Sequence, residues 1–287
     1  MIERVAPLLT ELPRRLAALD GMGVDVQVVS PSPVHYHDWA DEQLAAQISR
    51  EVNEGIAALC AQSRDRLTGL GIAPLHPPGL AARELTYAIG TLGLRGVEIP
   101  TRAGDRELGD AELEPFWAAA EETGALVFIH PWGCTLGSRL DRHYLANVVG
   151  QPLETTVALS HIIFSGLLDR RPGLRIIAAH GGRYLPYYAG RSDHAWAVRP
   201  DAATPLRAPS EYLREIYYDS LVYEPLALQA LVARAGADRI LLGTDYPFDM
   251  GVEDPLERLR SANLEPDQFA AIAHGNAATL LGLAIAV

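Results

Sequence analysis

The sequence predicts an α/β fold, a (β/α)8 barrel of the TIM type with its first strand missing. Three observations predict it. Short, almost wholly apolar strands alternate with helices along the chain, the pattern of a parallel sheet covered on both faces. The 287 residues exceed the roughly 250 that such a barrel takes. Seven strands are legible where eight are required, and a helix stands where such a barrel opens on a strand.

The elements follow in order. Residues 1–20 read as helical, with Leu8, Leu12, Leu16 and Leu19 on apolar spacing and Pro13 suited to a first turn. Gly21 and Gly23 break that helix before a strand at 24–30. Asp41 suits a helix N-cap, with Leu44, Ile48, Val52, Ile56 and Leu59 as the inner stripe. A strand at 70–75 and a helix at 80–91 follow, then a strand at 96–100 and a helix at 111–122 ended by Gly124. The next strand, 126–130, leads into a long irregular stretch, 131–152, and a helix at 154–168. Strands at 175–180, 216–219 and 240–245 complete the count, with a helix at 225–235 and a last one capped by Asn276. No break in composition divides the chain, so residues 1–287 are expected to form one domain.

Charge and composition exclude several functions. Acidic residues outnumber basic ones, 36 to 24, which argues against nucleic acid or an anionic membrane as partner. A small anionic substrate needs only one or two placed arginines. All the basic residues are arginine. The absence of lysine excludes Schiff-base chemistry, a P-loop and a metal pair bridged by a modified lysine. Cys60 and Cys134 form no CxxC pair, so neither a zinc ribbon nor a disulfide framework is expected, and the reducing cytoplasm is the expected compartment. No apolar run reaches the length of a membrane span, and the N-terminus lacks signal-peptide architecture.

Three expected strands end in His130, His180 and Asp245. In a parallel barrel all strand C-termini share one face, where active sites sit. Two imidazoles and a carboxylate converging there suit a divalent ion such as zinc. A lone strand-end histidine is more often structural; three such residues at one relative position are harder to dismiss.

The flanking residues add a resemblance. Ile129-His130-Pro131-Trp132, Ala179-His180-Gly181-Gly182 and Gly243-Thr244-Asp245-Tyr246-Pro247-Phe248 resemble the amidohydrolase superfamily. Within it they are similar to the metal-dependent branch that contains the aminocarboxymuconate-semialdehyde decarboxylases. Weaker likenesses at Glu154-Thr155-Thr156, Gly190-Arg191 and Pro209-Ser210-Glu211-Tyr212 extend it over nearly the whole chain. The resemblance implies that His130 and Asp245 hold the metal, usually zinc, and that His180 is the general acid–base. It implies that Arg191 grips a substrate carboxylate in a neighbouring subunit, hence a homodimer, and that Trp132 and Phe248 line the substrate pocket. Read without it, Arg191 is a surface ion-pair residue and the two aromatics are packing.

The chain also departs from that pattern. Family members open with a strand ending in His-x-His, which supplies two further ligands, and no such strand precedes Met1. An early substrate-binding arginine falls in the same region. His35-Tyr36-His37 offers a His-x-His, but Pro31-Ser32-Pro33-Val34 separates it from its strand, which favours a place on the pocket rim. His161 is expected in the core, His274 at a helix start, and His76, His143 and His194 near the site. Cys134 reads as a small loop residue.

The leading expectation is a metal-dependent nonoxidative decarboxylase of a small unsaturated or aromatic carboxylic acid, a carboxy-lyase. A hydrolase of an amide, ester or lactone on the same fold is the first alternative. A catalytically inactive truncated barrel with a binding or assembly role is the second.

Overall fold

The computed structural model describes the backbone of residues 2–283 and the side chains of 5–283. Met1, the first residue of the expected opening helix, lies outside them. The rest of that helix is two: α1 (Ile2–Thr10) and α2 (Leu12–Met22), the second with proline in its first turn. It runs through Gly21 and stops only at Gly23, whose φ of 69° a glycine adopts without strain.

The chain continues through β1 (Gln27–Val29), α3 (Glu42–Ala61), β2 (Leu67–Ile72), α4 (Pro78–Gly90) and β3 (Gly96–Ile99). A small antiparallel hairpin, β4 (Arg102–Ala103) and β5 (Arg106–Glu107), precedes α5 (Glu114–Thr123) and β6 (Leu126–Ile129). Then come α6 (Gln151–Phe164), α7 (Leu167–Arg170), β7 (Arg175–Ala178), α8 (Leu185–Val198), β8 (Tyr217–Asp219), α9 (Pro225–Ala235) and β9 (Ile240–Leu241). The short helices α10 (Pro255–Ser261), α11 (Pro266–Ala270) and α12 (Asn276–Leu281) close the described chain.

Seven strands form one sheet in the order β1-β2-β3-β6-β7-β8-β9, every pair parallel. The order never reverses, so the sheet is wound in one sense, as in a barrel. In a flat sheet β6 and β9 would lie about 14 Å apart. Ligand atoms of the residues that follow them lie within 4.8 Å of each other, so the sheet curls. Its edges are β1 and β9, and neither has a second partner among the described residues. That gap fits the expected barrel with seven of eight strands.

Alternation along the strands sorts the core. Val97, Ile99, Val127, Ile129 and Ile176 face the helices. Leu70, Leu126, Ile177 and Leu281 pack on the other face with Phe128 and Tyr217, so α12 plugs the inside of the curl. Glu98 pairs in register with Phe128, and Phe128 with Ile177, which puts a carboxyl in that inner layer.

Several expectations need correction. Asp41 does cap α3, accepting from the Leu44 N–H at 2.9 Å. Of the expected stripe of α3, Ile48, Ile56 and Leu59 are half-buried against core clusters, but Leu44 is exposed and the fully buried positions are Ala45, Ser49 and Asn53, one position along. Hydrogen bonds outweigh apolarity here. The Asn53 amide accepts from Ile72 N–H at 2.7 Å and donates to Ile72 O at 3.0 Å. It lies so close to Gly71 that a Cβ there would meet Asn53 Oδ1 at 2.5 Å. Asn276 is not a cap; it donates to Ala237 O and Ile240 O, tying α12 to β9. His161 is exposed on α6 and sits 3.8 Å from Glu107 rather than in the core. His274 lies in the π-turn Ala271–Gly275 before α12.

Asn53→Ala is expected to cost about 2 kcal/mol, since it strands a buried N–H at the end of β2. Urea denaturation at equilibrium checks this; a loss below about 0.5 kcal/mol would contradict the role.

Candidate metal centre and catalytic face

The segments after three strands build the centre, and Asp245, expected to end its strand, lies four residues beyond the end of β9 at Leu241. His130 follows β6 and carries its ladder one residue further, its N–H donating to Ile99 O at 3.0 Å. His180 follows β7 in a turn, Ala179–Gly182. Asp245 follows β9 in a loop where Val252 N–H donates to Thr244 O and Phe248 N–H to Asp245 O. Gly251 is required there, because a Cβ would meet Asp245 O at 2.6 Å.

The turn carrying His180 is unusual. His180, Gly181, Gly182 and Arg183 all have positive φ, 56°, 67°, 67° and 54°. Two glycines suit this; a histidine and an arginine are strained in it. Asp219, ending β8, fixes the turn. Its carboxylate accepts from His180 N–H at 2.7 Å, Gly181 N–H at 3.2 Å and Leu221 N–H at 2.9 Å.

The three side chains meet. One ligand atom from each of His130, His180 and Asp245 lies within 4.8 Å of the others. The two imidazoles sit 4.9 Å apart with their planes at 63°. The Nδ1 atoms of both histidines are buried and make no hydrogen bond. An orphaned ring nitrogen beside a carboxylate fits a divalent ion, which takes imidazole nitrogen and carboxylate oxygen as ligands.

Burial sets the charge states. It pushes His130 down to about 4 and His180 well below its ordinary value, with the Arg183 guanidinium adding to both. Both rings are therefore neutral near pH 7. Burial pushes Asp245 up to about 7, and neighbouring Asp219 adds to the rise. A divalent charge placed among these groups would favour the carboxylate of Asp245.

A second buried acid lies beside this group. Glu98 accepts from Ser30 Oγ and from Tyr36 Oη, each at 2.5 Å. Tyr36 also lies 3.4 Å from His130 O. Burial pushes Glu98 up to about 7.

Of the other expected residues, Trp132 is exposed, Phe248 half-buried, and Arg191 exposed on α8. His35 bonds Ser32 O through Nδ1, and neither His35 nor His37 belongs to the metal-competent group. His76, His143 and His194 are exposed. Cys134 is a free thiol packed where a Gly150 Cβ would stand, as a loop residue should be. Glu154 is buried and accepts from Thr135 N–H and Oγ1, pinning the loop after His130. Asp219, Glu98 and Arg183 were not singled out from the sequence. The available signals were an acid ending a strand at Asp219, an acid at an inward position of an apolar strand at Glu98, and a cation directly after His180-Gly181-Gly182.

The profile of the amidohydrolase family matches residues 6–283. The chain belongs to the amidohydrolase family. Among its relatives in that family is the 2-amino-3-carboxymuconate-6-semialdehyde decarboxylase of Dictyostelium discoideum. The two are 35% identical over 272 residues, which is 94% of this chain and 76% of the relative. The crystal structure of 5-carboxyvanillate decarboxylase from Sphingomonas paucimobilis superposes with a TM-score of 0.87 at 27% identity, covering 94% of this chain and 82% of that one. A dihydroxybenzoic acid decarboxylase from Polaromonas sp. JS666, crystallised with manganese and the inhibitor 2-nitroresorcinol, superposes at 0.85 and 27% identity, covering 94% and 85%. The amidohydrolase relatives named here are decarboxylases, and their structures include one with a bound divalent metal.

Metal affinity is expected to follow one proton. Below about pH 7 the Asp245 carboxyl is protonated and must lose its proton to bind, whereas His130 stays neutral down to about pH 4. The apparent dissociation constant for Mn2+ should therefore weaken about tenfold per unit between about pH 6.5 and 5. Calorimetric titration checks this; a flat profile, or about a hundredfold per unit, would contradict it.

Proposed function

We propose that this chain is a metal-dependent nonoxidative decarboxylase of a small aromatic or unsaturated carboxylic acid. The observation that supports it best is the pairing of an ion-competent His130–Asp245 edge with a neutral, buried His180 on the same face. The relatives' activities point the same way.

In this reading His130 and Asp245 hold the ion, with Asp245 also acting in catalysis through its charge. When bound, the ion supplies Lewis-acid polarisation of the substrate and a strong local positive charge. An imidazole and carboxylate set binds zinc more tightly than manganese on intrinsic affinity, so zinc is the proposed resident ion, although the Polaromonas relative was crystallised with manganese.

His180 handles the proton. Its buried ring, neutral on its own near pH 7, would take up a proton as the anionic substrate binds, and so weak a base gives that proton up readily. Protonating the carbon that bears the carboxylate needs such an acid. The carbon–carboxylate bond then breaks, its electron pair returns to the unsaturated system, and CO2 leaves. The net change is one proton in and one CO2 out. Asp219 holds the ring in place through the backbone N–H of His180. Phe248, half-buried beside Asp245, and Trp132, beside His130, are the proposed apolar walls that keep water from the reacting carbon. Arg191, exposed on α8, is proposed to serve the site of a second copy, and a homodimer in the cytoplasm is the proposed form.

His180→Ala is expected to lower CO2 release by at least about a hundredfold while retaining metal, as read by elemental analysis. Full activity in that variant would remove His180 from the chemistry. Consumption of lactones or esters by the wild type without CO2 release would replace decarboxylation by hydrolysis.

A further inference from the structure

Backbone strain gathers on the catalytic face. Among the described residues, every non-glycine residue with positive φ except Asn263 lies in a loop that follows a strand of the large sheet. Two of them stand side by side, His143 at 59° and Tyr144 at 60°, in the loop between β6 and α6. Left-handed backbone is costly at two such bulky residues in a row. The Tyr144 hydroxyl donates to the Asp249 carboxylate, 3.3 Å from each oxygen. Asp249 lies in the loop after β9, and β7 and β8 separate β9 from β6. The tyrosine therefore bridges two loops that follow non-adjacent strands, the one that begins at His130 and the one that carries Asp245. Burial, Asp249 and then Asp245 raise its hydroxyl above its ordinary value, which puts that hydroxyl within reach of the charge at the centre.

The segment around Tyr144 is built to move. Thr135 is pinned to Glu154. Just beyond it, Gly137 has φ 62° and open space where a Cβ would stand, so the chain can swing there. The other end runs into the π-turn Ala146–Gly150, a kind of turn frequent at functional sites. It is fixed at Gly150, where a Cβ would meet Cys134 Sγ at 2.7 Å. Between these ends Leu140 is buried and residues 141–144 are exposed. Among the described residues, the bond to Asp249 is the one side-chain hydrogen bond or ion pair that ties residues 137–146 to another element. One hydroxyl proton shared between two oxygens at that distance makes a weak bond. On the opposite flank Tyr223, also at positive φ, donates to Met250 O at 2.9 Å. The loop after β9 therefore stays tethered when Tyr144 lets go.

We propose that residues 137–146 form a lid over the metal centre and that Tyr144 and Asp249 are its latch. Closed, the lid spans from the loop of His130 to the loop of Asp245 and keeps bulk water from the reacting carbon. Released at Tyr144, it admits substrate and lets products leave. Strain at His143 and Tyr144 favours the open form, and the hydrogen bond to Asp249 offsets it, so the two forms are close in free energy. Tyr144 and Asp249 are positioning residues, since neither belongs to the metal-competent group. The lid serves the centre whichever reaction follows, so it stands apart from the decarboxylase reading.

Two rates, measured on the full chain supplied with Mn2+, test this. The first is tryptic cleavage after Arg139 and Arg142, both exposed on the lid, followed by mass spectrometry. Tyr144→Phe removes only the latch hydroxyl and is expected to speed cleavage at least about fivefold, as is Asp249→Ala. The double variant is expected to be no faster than the quicker single one, because both break the same bond. The second is modification of His180, buried beneath the lid, by diethyl pyrocarbonate, against that of exposed His76 and His194. Tyr144→Phe is expected to speed modification of His180 by about fivefold and leave the other two unchanged. Unchanged cleavage in Tyr144→Phe, or effects that multiply in the double variant, overturns the latch. Faster cleavage with His180 modified no faster overturns the lid, since the segment would then move without uncovering the centre. Equal speeding of cleavage throughout the chain would make Tyr144 a general structural residue and overturns both.

Discussion

The carboxylate of Asp219 accepts three backbone N–H groups at the end of β8, from His180, Gly181 and Leu221, and the geometry of the catalytic face depends on it. That clamp, together with the Arg183 N–H donating to His180 O at 3.3 Å, holds the chain after β7 through four consecutive positive φ angles. Strain at His180 and Arg183 is worth about 1–3 kcal/mol each, and hydrogen bonds to a charged acceptor return about 1.5–3 kcal/mol each. The two are comparable, so Asp219 offsets much of the strain in the turn. The turn in turn sets His180 against His130 and leaves Arg183 facing the site.

Burial does the rest of the work through charge. Two neutral imidazoles, three carboxyls raised toward neutrality and one guanidinium outside any ion pair share a small volume at one end of the sheet. Each is unfavourable alone. Together they describe a place where a divalent ion and an anionic substrate would satisfy what the protein leaves open. The curl of the sheet makes this possible, since residues three strands apart in a flat sheet could not meet.

Much of this was legible in the chain. Apolar strands at even spacing gave the parallel sheet, and His130, His180 and Asp245 stood out because each ends such a strand. Rules of local patterning failed where polar contacts overrode them. The most deeply buried face of α3 centres on Asn53 and its bonds to Ile72, one position along from the leucines and isoleucines that pack beside it. Asn276 looked like a cap because asparagine favours caps, yet its amide reaches β9. Asp219, Glu98 and Arg183 escaped notice because their importance lies in what other strands bring to them, and no spacing along the chain encodes that. Glu98 came nearest to being visible, as a charge at an inward position of an otherwise apolar strand.

The central claim is that His130 and Asp245 hold a divalent ion beside an imidazole, His180, that is free to move a proton. Crystals of the protein grown with Mn2+, with anomalous scattering recorded at the manganese edge, test it most directly. The expected result is a single strong peak bonded to an imidazole nitrogen of His130 and to the carboxylate of Asp245. A peak placed instead at His35 and His37, or no peak on this face at saturating metal, would contradict it.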